Sequence, residues 1–296
     1  MKRPERIEEE LLRLRQNKKS IGTLLLTESI MLVLVIVLLF TVNIGAVYAL
    51  CGAILIFNLL IIRPSVRRYR NELTAMEVMY GAAGDIQECI YKDKDKLDKD
   101  TLERDKFVSP REWPTEAICR HSVSGRYIDA CVQMCECSFA VKYGSRRTNT
   151  MFLSGTYIQA EMRKGTGLSI SCISRDIPYI SEDRPELLGY GYMPADFTIE
   201  KAGKLEWAFS TDGNIPDWFQ KQFIKLVGQG SKIMVNLDDD KFRLFIVSRY
   251  FAVKHRLNET VSEESLTRNR LPEKTAVFDT LRIIQQNAVL EKRKEK

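Results

Sequence analysis

Apolar residues run almost unbroken from 21 to 62, where Glu28 is the one formal charge and Thr41-Val42-Asn43-Ile44-Gly45 is the one polar break. A bilayer hydrocarbon core of roughly 30 Å takes about 20 helical residues per crossing. The stretch therefore predicts two spans, about 22–42 and 45–62, joined by almost no loop. On the N-terminal side, Pro4 opens a segment in which Ile7, Leu11, Leu12 and Leu14 stand among charges. That pattern predicts a short amphipathic helix on a membrane surface. On the other side, Val66, Tyr69, Leu73, Met76, Met79 and Tyr80 recur near helical spacing, predicting a helix from Ser65 toward Ile90 that Gly81 and Gly84 weaken at its far end. Tyr91 to Lys106 then alternates charges of both signs and reads as a solvated helix or linker.

From about Val108 the period changes toward two. Tyr127–Val141 and Thr148–Met162 are rich in β-formers and flank a polar turn at Tyr143-Gly144-Ser145-Arg146-Arg147-Thr148. Leu168–Ile173 is a further short apolar strand, and Leu205–Ser210 another, after a Pro- and Gly-containing connection over Ile177–Pro194. Ile215-Pro216-Asp217 opens a helix carrying Trp218, Phe219, Phe223, Ile224 and Val227, and Gly228 suits its stop. Lys232–Leu237 and Phe242–Tyr250 form a hairpin across Asp238-Asp239-Asp240. Ala276–Leu290 closes the chain as a helix, with Val277, Leu281, Ile284 and Ala288 on one stripe. The expected fold class is α+β: a two-helix transmembrane hairpin, then a β-rich domain with a few flanking helices. The segments are 1–20, amphipathic; 21–62, hairpin; 63–106, juxtamembrane helix and charged linker; 107–290, α+β domain; and 291–296, charged tail.

Charge orients the hairpin. Lys2, Arg3, Arg6, Arg13, Arg15, Lys18 and Lys19 precede it, Arg63, Arg67, Arg68 and Arg70 follow it, and the connection carries no Lys or Arg. The positive-inside rule then places both termini in the cytoplasm and the turn outside, in a two-span protein of the cell membrane. A cleaved signal peptide is not expected, since the apolar run is too long and lacks a small-x-small cleavage pattern. A single long span would put the basic cluster after Ile62 on the wrong side. Much of the net charge of +6 sits beside the hairpin, so anionic headgroups account for it better than nucleic acid, for which no zinc-finger spacing or stacked-aromatic signature is present. Glu28 is expected to snorkel toward headgroups; an ion or proton site, or a polar contact with a partner helix, are its sharper alternatives. Gly45, Ala49 and Ala53 have small-xxx-small spacing, which suits packing of the two spans together.

The chain has seven cysteines, an odd count that does not read as a disulfide framework in the cytoplasm. Cys119, His121, Cys131, Cys135 and Cys137 are the one cluster with metal-ligating residue types. Zinc wants four ligands held tetrahedrally, usually from C-x-x-C knuckles, and that spacing is missing here. On a strand over 127–141, Cys131, Cys135 and Cys137 share one face as small core residues, so the expected metal set is none and no cofactor is expected. Gly165-Thr166-Gly167 joins strand to strand and lacks a following Lys-Ser/Thr, which makes it a turn rather than a phosphate loop. Asp238, Asp239 and Asp240, next to Lys241 and Arg243, read as an exposed turn rather than a cation site.

The order of parts resembles an uncharacterised bacterial membrane-protein family, a domain of unknown function with an N-terminal two-span hairpin and a cytoplasmic α+β domain. The resemblance rests on Ser124-Gly125-Arg126-Tyr127-Ile128-Asp129, on Phe152-Leu153-Ser154-Gly155-Thr156-Tyr157-Ile158, on Leu205–Asp212 with its following helix, and on the 232–250 hairpin with the terminal helix. Where relatives keep a Phe-rich stretch after that hairpin, this chain has Phe251-Ala252-Val253-Lys254-His255. The resemblance implies a fold and a topology; it supplies no catalytic residues.

With two histidines, His121 and His255, and no Gly-x-Ser-x-Gly, His-Glu-x-x-His or P-loop, the sequence favours no reaction. The leading expectation is a membrane-anchored interaction or scaffold module, its partner a membrane or cytoplasmic protein and the bilayer itself through residues 21–62. A tethered enzyme is the alternative, for instance through a Cys119–His121 pair. A small oligomeric transport component built around Glu28 is the second.

Overall fold

Ile7, Leu11, Leu14 and Ile21 follow one another at steps of four, three and seven, and Val66, Tyr69, Leu73, Met76 and Tyr80 at alternating steps of three and four. That 3.5-residue period is what two helices need to keep one narrow seam in contact. In the computed structural model these two sets meet. The structure describes residues 3–41, 44–97, 113–114, 117–143, 149–174, 193–194, 206–210, 214–228, 232–252, 261–268 and 271–294. The chain divides into two compact units, Met1–Tyr80 with Val253–Arg268, and Gly81–Ala252 with Asn269–Lys296.

In the first unit, α1 spans Arg3–Thr41, α2 spans Ile44–Phe57, and α3 spans Arg63–Glu77; π turns at Asn58–Ile62 and Val78–Ala82 follow α2 and α3. Both arms of this helical hairpin are long and apolar enough to cross a membrane. Over the apolar half, only a seam of Val35, Val47 and Ile54, flanked by Met31, Leu38 and Leu50, is covered. Leu26, Val33, Phe40, Tyr48 and Leu60 point outward. Over the polar half, Ile7, Leu11, Leu14 and Ile21 pack with Tyr69, Leu73 and Tyr80. A short helix α4 (Glu263–Thr267) adds Leu266 to the same cluster. Its start is closed by reciprocal bonds between Ser262 and Ser265. Residues 4–20 are thus not a separate helix lying on a surface. They continue the first apolar helix without a break, and α3 covers their stripe.

Glu28 also differs from its expectation. The contact formed is the polar one between helices: Asn58 Nδ2 donates to Glu28 Oε1 at 2.6 Å, and Arg63 Nε donates to Asn58 Oδ1 at 3.1 Å. A polar contact between two otherwise apolar helices fixes their register, because sliding by a turn leaves both groups without a partner.

In the second unit ten strands form one antiparallel sheet among the described residues: β1 (Gln87–Leu97), β2 (Trp113–Pro114), β3 (Ala117–Tyr127), β4 (Ala130–Tyr143), β5 (Asn149–Met162), β6 (Ser169–Ser174), β7 (Met193–Pro194), β8 (Glu206–Ser210), β9 (Ile233–Asp238) and β10 (Lys241–Val247). Their order is β1-β3-β4-β5-β10-β9-β6-β8-β7, with β2 pairing β4. Period-two alternation explains the long strands: β4 sends Cys131, Gln133, Cys135, Cys137 and Phe139 to one face and Val132, Met134 and Glu136 to the other. The β9–β10 hairpin is buried on both faces, through Met234, Val235, Asn236 and Leu237 and through Phe242, Arg243, Leu244 and Phe245, which marks the centre of the sheet. Helix α5 (Asp217–Val227) buries Phe219, Phe223 and Leu226 and packs against α6 (Lys274–Lys294). Phe278 of α6 meets Tyr127 at 4.7 Å between ring centres, and Gln285 Nε2 donates to the Tyr127 carbonyl. The hydrophobic face, with Val132, Met134, Ile158 and Leu244, is therefore the one α6 covers.

The charge run is corrected by the sheet. Gln87–Leu97 is neither helix nor linker but the edge strand β1, paired to β3 from Gln87↔Arg126 to Leu97↔Ala117. Alternating Lys and Asp hid a period-two element, and charges on an edge strand discourage pairing with further chains. The second unit accordingly begins near Gly81, not after Lys106. The two expected turns meet each other: the amide of Thr166 donates to the Asp239 carbonyl at 3.1 Å, Gly167 N–H to Asp239 Oδ1 at 2.9 Å, and Ser169 Oγ to Asp238 Oδ1 at 2.8 Å. Asp239 thus clasps the Gly165–Gly167 turn, and Asp238 holds the first residue of β6 beyond it. The 177–192 connection, His255 and the 291–296 tail's last residues lie outside the described residues.

Gly155 sits where β5 and β10 run closest, and a Cβ there would lie 2.0 Å from the Ile246 carbonyl oxygen. Gly155→Ala is expected to destabilise the sheet by about 2–3 kcal/mol, since backbone rather than a flexible side chain must give way. Gly22→Ala, inside α1 where an added methyl meets nothing within 4 Å, is expected not to destabilise and to gain up to about 1 kcal/mol of helix propensity. Thermal unfolding of the detergent-solubilised chain reads both.

Candidate functional site

Residues directly opposite one another on neighbouring strands share a face. Following the register across the sheet gives Ser124↔Gln133↔Gln159↔Arg243↔Asn236↔Ser171, one polar side chain on each of β3, β4, β5, β10, β9 and β6. One step along the strands on the same face runs a second row, Arg126↔Cys131↔Glu161↔Lys241↔Asp238↔Ser169. Two adjacent polar rows on the face away from α6 are an unusual use of a sheet, because each buried polar group needs a partner.

The rows supply several of these partners themselves. Arg243 Nη1 donates to Asn236 Oδ1 at 2.9 Å, and Asn236 Nδ2 to the Ile170 carbonyl at 3.4 Å. Tyr157 OH donates to Gln159 Oε1 at 3.0 Å, and Gln133 Nε2 to Ser122 Oγ at 3.4 Å. Toward β9 and β6 the rows are buried, with Asn236 and Ser171 at 0% and 1% exposure. Toward β3 and β4 they surface in an open groove of about 400 Å³. Ser124, Gln133 and Gln159 make its floor, Arg126 and Glu161 supply opposite charges, and Glu88 and Ile90 of β1 form a wall. Close approach of β1 to β3 shapes that wall: a Cβ on Gly125 would lie 2.4 Å from the Gln87 carbonyl oxygen. A floor of amides and hydroxyls, edged by Glu161 and by Arg126 with Glu88 3.8 Å from it, presents donors and acceptors together and suits an extended ligand with polar groups.

The five candidate ligands divide among three places. Cys119, Cys135 and Cys137 come together on the groove's face but beyond it, buried in an apolar part of the sheet with Tyr157 and Phe245. The thiols of Cys135 and Cys137 hydrogen-bond to Cys119, which outweighs burial and holds the Cys119 thiol below its ordinary range. The bond to Cys119 and burial push the Cys135 thiol well up. Cys131 shares their face but is exposed, in the groove. His121 stands at a register break between Arg120 and Val123, with φ of 52°, and turns to β1. Its Nδ1 is 2.8 Å from Tyr91 OH and 3.9 Å from Asp93 Oδ1. Among the described residues, no three His, Cys, Asp or Glu groups are placed to share a metal ion.

Around the bulge, burial governs. It lowers the His121 pKa, with Arg120 adding to the effect and Asp93 opposing it. Burial, then Asp93 and Glu136, raises that of Tyr91. Glu136 is raised by burial against the Ala252 and Phe251 amides and Arg120, which lower it. Its Oε1 accepts from Ala252 N–H at 2.7 Å. A neutral imidazole paired with a protonated phenol holds the bulge closed; with both ring and hydroxyl engaged, the pair has a structural use.

Sequence reasoning weighed the cysteines and passed over Gln133, Gln159, Asn236 and Arg243. The signal was present as a long polar side chain in the middle of each apolar strand, but alignment into one row depends on the register of strands far apart in the chain. No family model, characterised protein or solved structure matches this chain.

Because His121 has a lowered pKa in the fold, the unfolded chain binds more protons below about pH 6.5, and stability falls as pH falls from there. His121→Gln, which cannot protonate, is expected to flatten the unfolding temperature between pH 7 and about 5 relative to the parent chain. An unchanged slope would show that His121 titrates alike in the folded and unfolded chains, and would contradict its lowered pKa. Comparing the two chains removes the opposite contribution of Glu136, whose raised pKa favours the fold at low pH.

Proposed function

We propose that this chain is a membrane-anchored interaction module: the apolar hairpin is its anchor in the cell membrane, both termini are cytoplasmic, and the sheet unit holds a short polar segment of a partner protein in the groove over β3, β4 and β5. The membrane reading is supported by two helices long and apolar enough to cross. It is also supported by basic residues gathered on both flanks.

The observation that carries the binding reading is the groove itself, where two polar rows reach the surface. The sheet's edges are poorer docking places. β1 carries Lys92, Asp93, Lys94, Asp95 and Lys96, which oppose strand addition, and β7 at the other end is two residues long and ends in Pro194. A partner is therefore expected to lie across the face and to use side-chain amides. Gln133 and Gln159 offer both donors and acceptors, and Arg126 and Glu161 set the direction of a chain carrying opposite charges.

Cys131 gives a direct test, being exposed at the groove. A photo-crosslinker attached there, in cells expressing the full chain, is expected to capture a discrete protein partner. Gln133→Leu with Gln159→Leu is expected to lower the yield tenfold or more while leaving membrane association intact. Capture that is unaffected by the double substitution, or no capture above an unlabelled control, contradicts the proposal.

A further inference from the structure

The helical hairpin carries a second polar groove, and its chemistry is different. Where the apolar part of α1, paired with α2, gives way to its polar part, paired with α3, a cleft of about 250 Å³ opens between α1 and α3. Its floor is Ile21 and Tyr69, both buried. With Asn17 meeting Glu72 across the antiparallel pair, Leu24 and Ser65 lie at the end next to the apolar stretch, Ser20 and Arg68 lie between, and Arg13, Asn17 and Glu72 lie at the other end. From Leu24 to Arg13 along α1 is about 16 Å at 1.5 Å per residue, enough to pass from the acyl region through the headgroup layer.

The polar end is organised around one carboxylate. Glu72 Oε1 accepts from Arg68 Nε at 3.1 Å and lies 3.9 Å from Arg13 Nη2, while Oε2 accepts from Asn17 Nδ2 at 3.0 Å. Both guanidiniums are thereby held toward the cleft. Arg68 meets Glu72 through Nε, and a guanidinium carries five N–H donors in a fork that suits two phosphate oxygens. Two arginines and one carboxylate leave one net positive charge in the cleft, the complement of a single phosphodiester. Lys18 and Lys19 on α1 and Arg67 and Arg70 on α3 neighbour its residues in sequence and attract an anionic membrane surface.

We propose that this cleft is a binding site for one anionic phospholipid, its phosphodiester on Arg13 and Arg68, its glycerol region beside Ser20 and Ser65, and the start of its acyl chain against Leu24. The inference rests on the membrane-anchor reading. A headgroup held there adds charge-assisted bonds between α1 and α3 at the level where their packing changes from lipid-facing to water-facing.

The test uses the full chain purified in a neutral detergent and titrated with phosphatidylglycerol or phosphatidylcholine, with retained lipid counted by native mass spectrometry. The expected result is one phosphatidylglycerol per chain at concentrations where phosphatidylcholine is not retained. Arg13→Gln with Arg68→Gln should weaken retention about tenfold or more. Arg67→Gln with Arg70→Gln, the same loss of charge outside the cleft, should leave it within about twofold. Equal losses in the two pairs, or equal retention of the two lipids, overturns the site in favour of diffuse attraction. Competition by inorganic phosphate at millimolar concentration, with no preference for lipid, would assign the cleft to free phosphate instead and overturn the lipid. A photoactivatable phosphatidylglycerol whose adducts map to residues 13–24 and 65–72 supports the site even if the double substitution perturbs the helices; adducts elsewhere count against it. Alkaline carbonate extraction separates the two readings. A chain that washes off the membrane fails as an anchored protein, whereas one that resists extraction yet retains no phosphatidylglycerol fails only here.

Discussion

Two helices of this chain change their hydrophobic pattern partway along, and the first unit depends on that change. In one half, α1 and α2 are apolar all round and cover little of themselves. In the other, α1 and α3 are polar except for a heptad seam. A helix apolar all round needs an apolar surrounding, while a helix apolar along one stripe needs only a partner helix. The two arms satisfy both with two covered clusters in line, Val35 with Ile54 in the apolar half and Ile7, Leu11, Leu14 and Ile21 with Tyr69 and Leu73 in the polar half. The Glu28–Asn58–Arg63 chain of hydrogen bonds lies on that line and sets the register.

The sheet solves the opposite problem. Its hydrophobic face is closed by α6, and its other face carries two polar rows that must find partners among themselves or in a ligand. At the buried end, Arg243 and Asn236 bond to each other and to backbone. At the β3–β4 end, the same rows meet open space. Continuity between a buried polar row, tied together by Arg243 and Asn236, and an open polar groove is what makes the groove a better candidate than the three free cysteines, which are buried in an apolar setting.

How legible this was in sequence depended on the range of the contact. The apolar hairpin, the β9–β10 hairpin, the Pro216–Gly228 helix and the terminal helix each follow from local period and from turn or cap residues. Strand β1 was misread because its alternation was of charge sign rather than polarity, which resembles a solvated run unless its partner strand is known. Residues 4–20 were misassigned because an amphipathic stripe has the same pattern whether lipid or a partner helix covers it. For the site, the face shared by Cys131, Cys135 and Cys137 was readable from strand alternation. The place of His121 was not, because a single left-handed residue at a bulge turns the chain. The polar rows were invisible for a further reason: they join residues from 124 to 243, and a one-residue slip in any register would scatter them.

The membrane-anchor proposal puts the sheet unit on the same side of a membrane as the basic flanks, and the break between α1 and α2 on the other side. Labelling by a membrane-impermeant maleimide tests this most directly, in a chain whose Cys51 and Cys89 are replaced by Ala. Cys131, the exposed thiol in the groove, serves as one reporter, and Asn43→Cys at the break as the other. The account predicts that intact cells label the Asn43→Cys position and leave Cys131 unlabelled until the membrane is permeabilised. Labelling of Cys131 in intact cells, with the Asn43→Cys position protected, would contradict it.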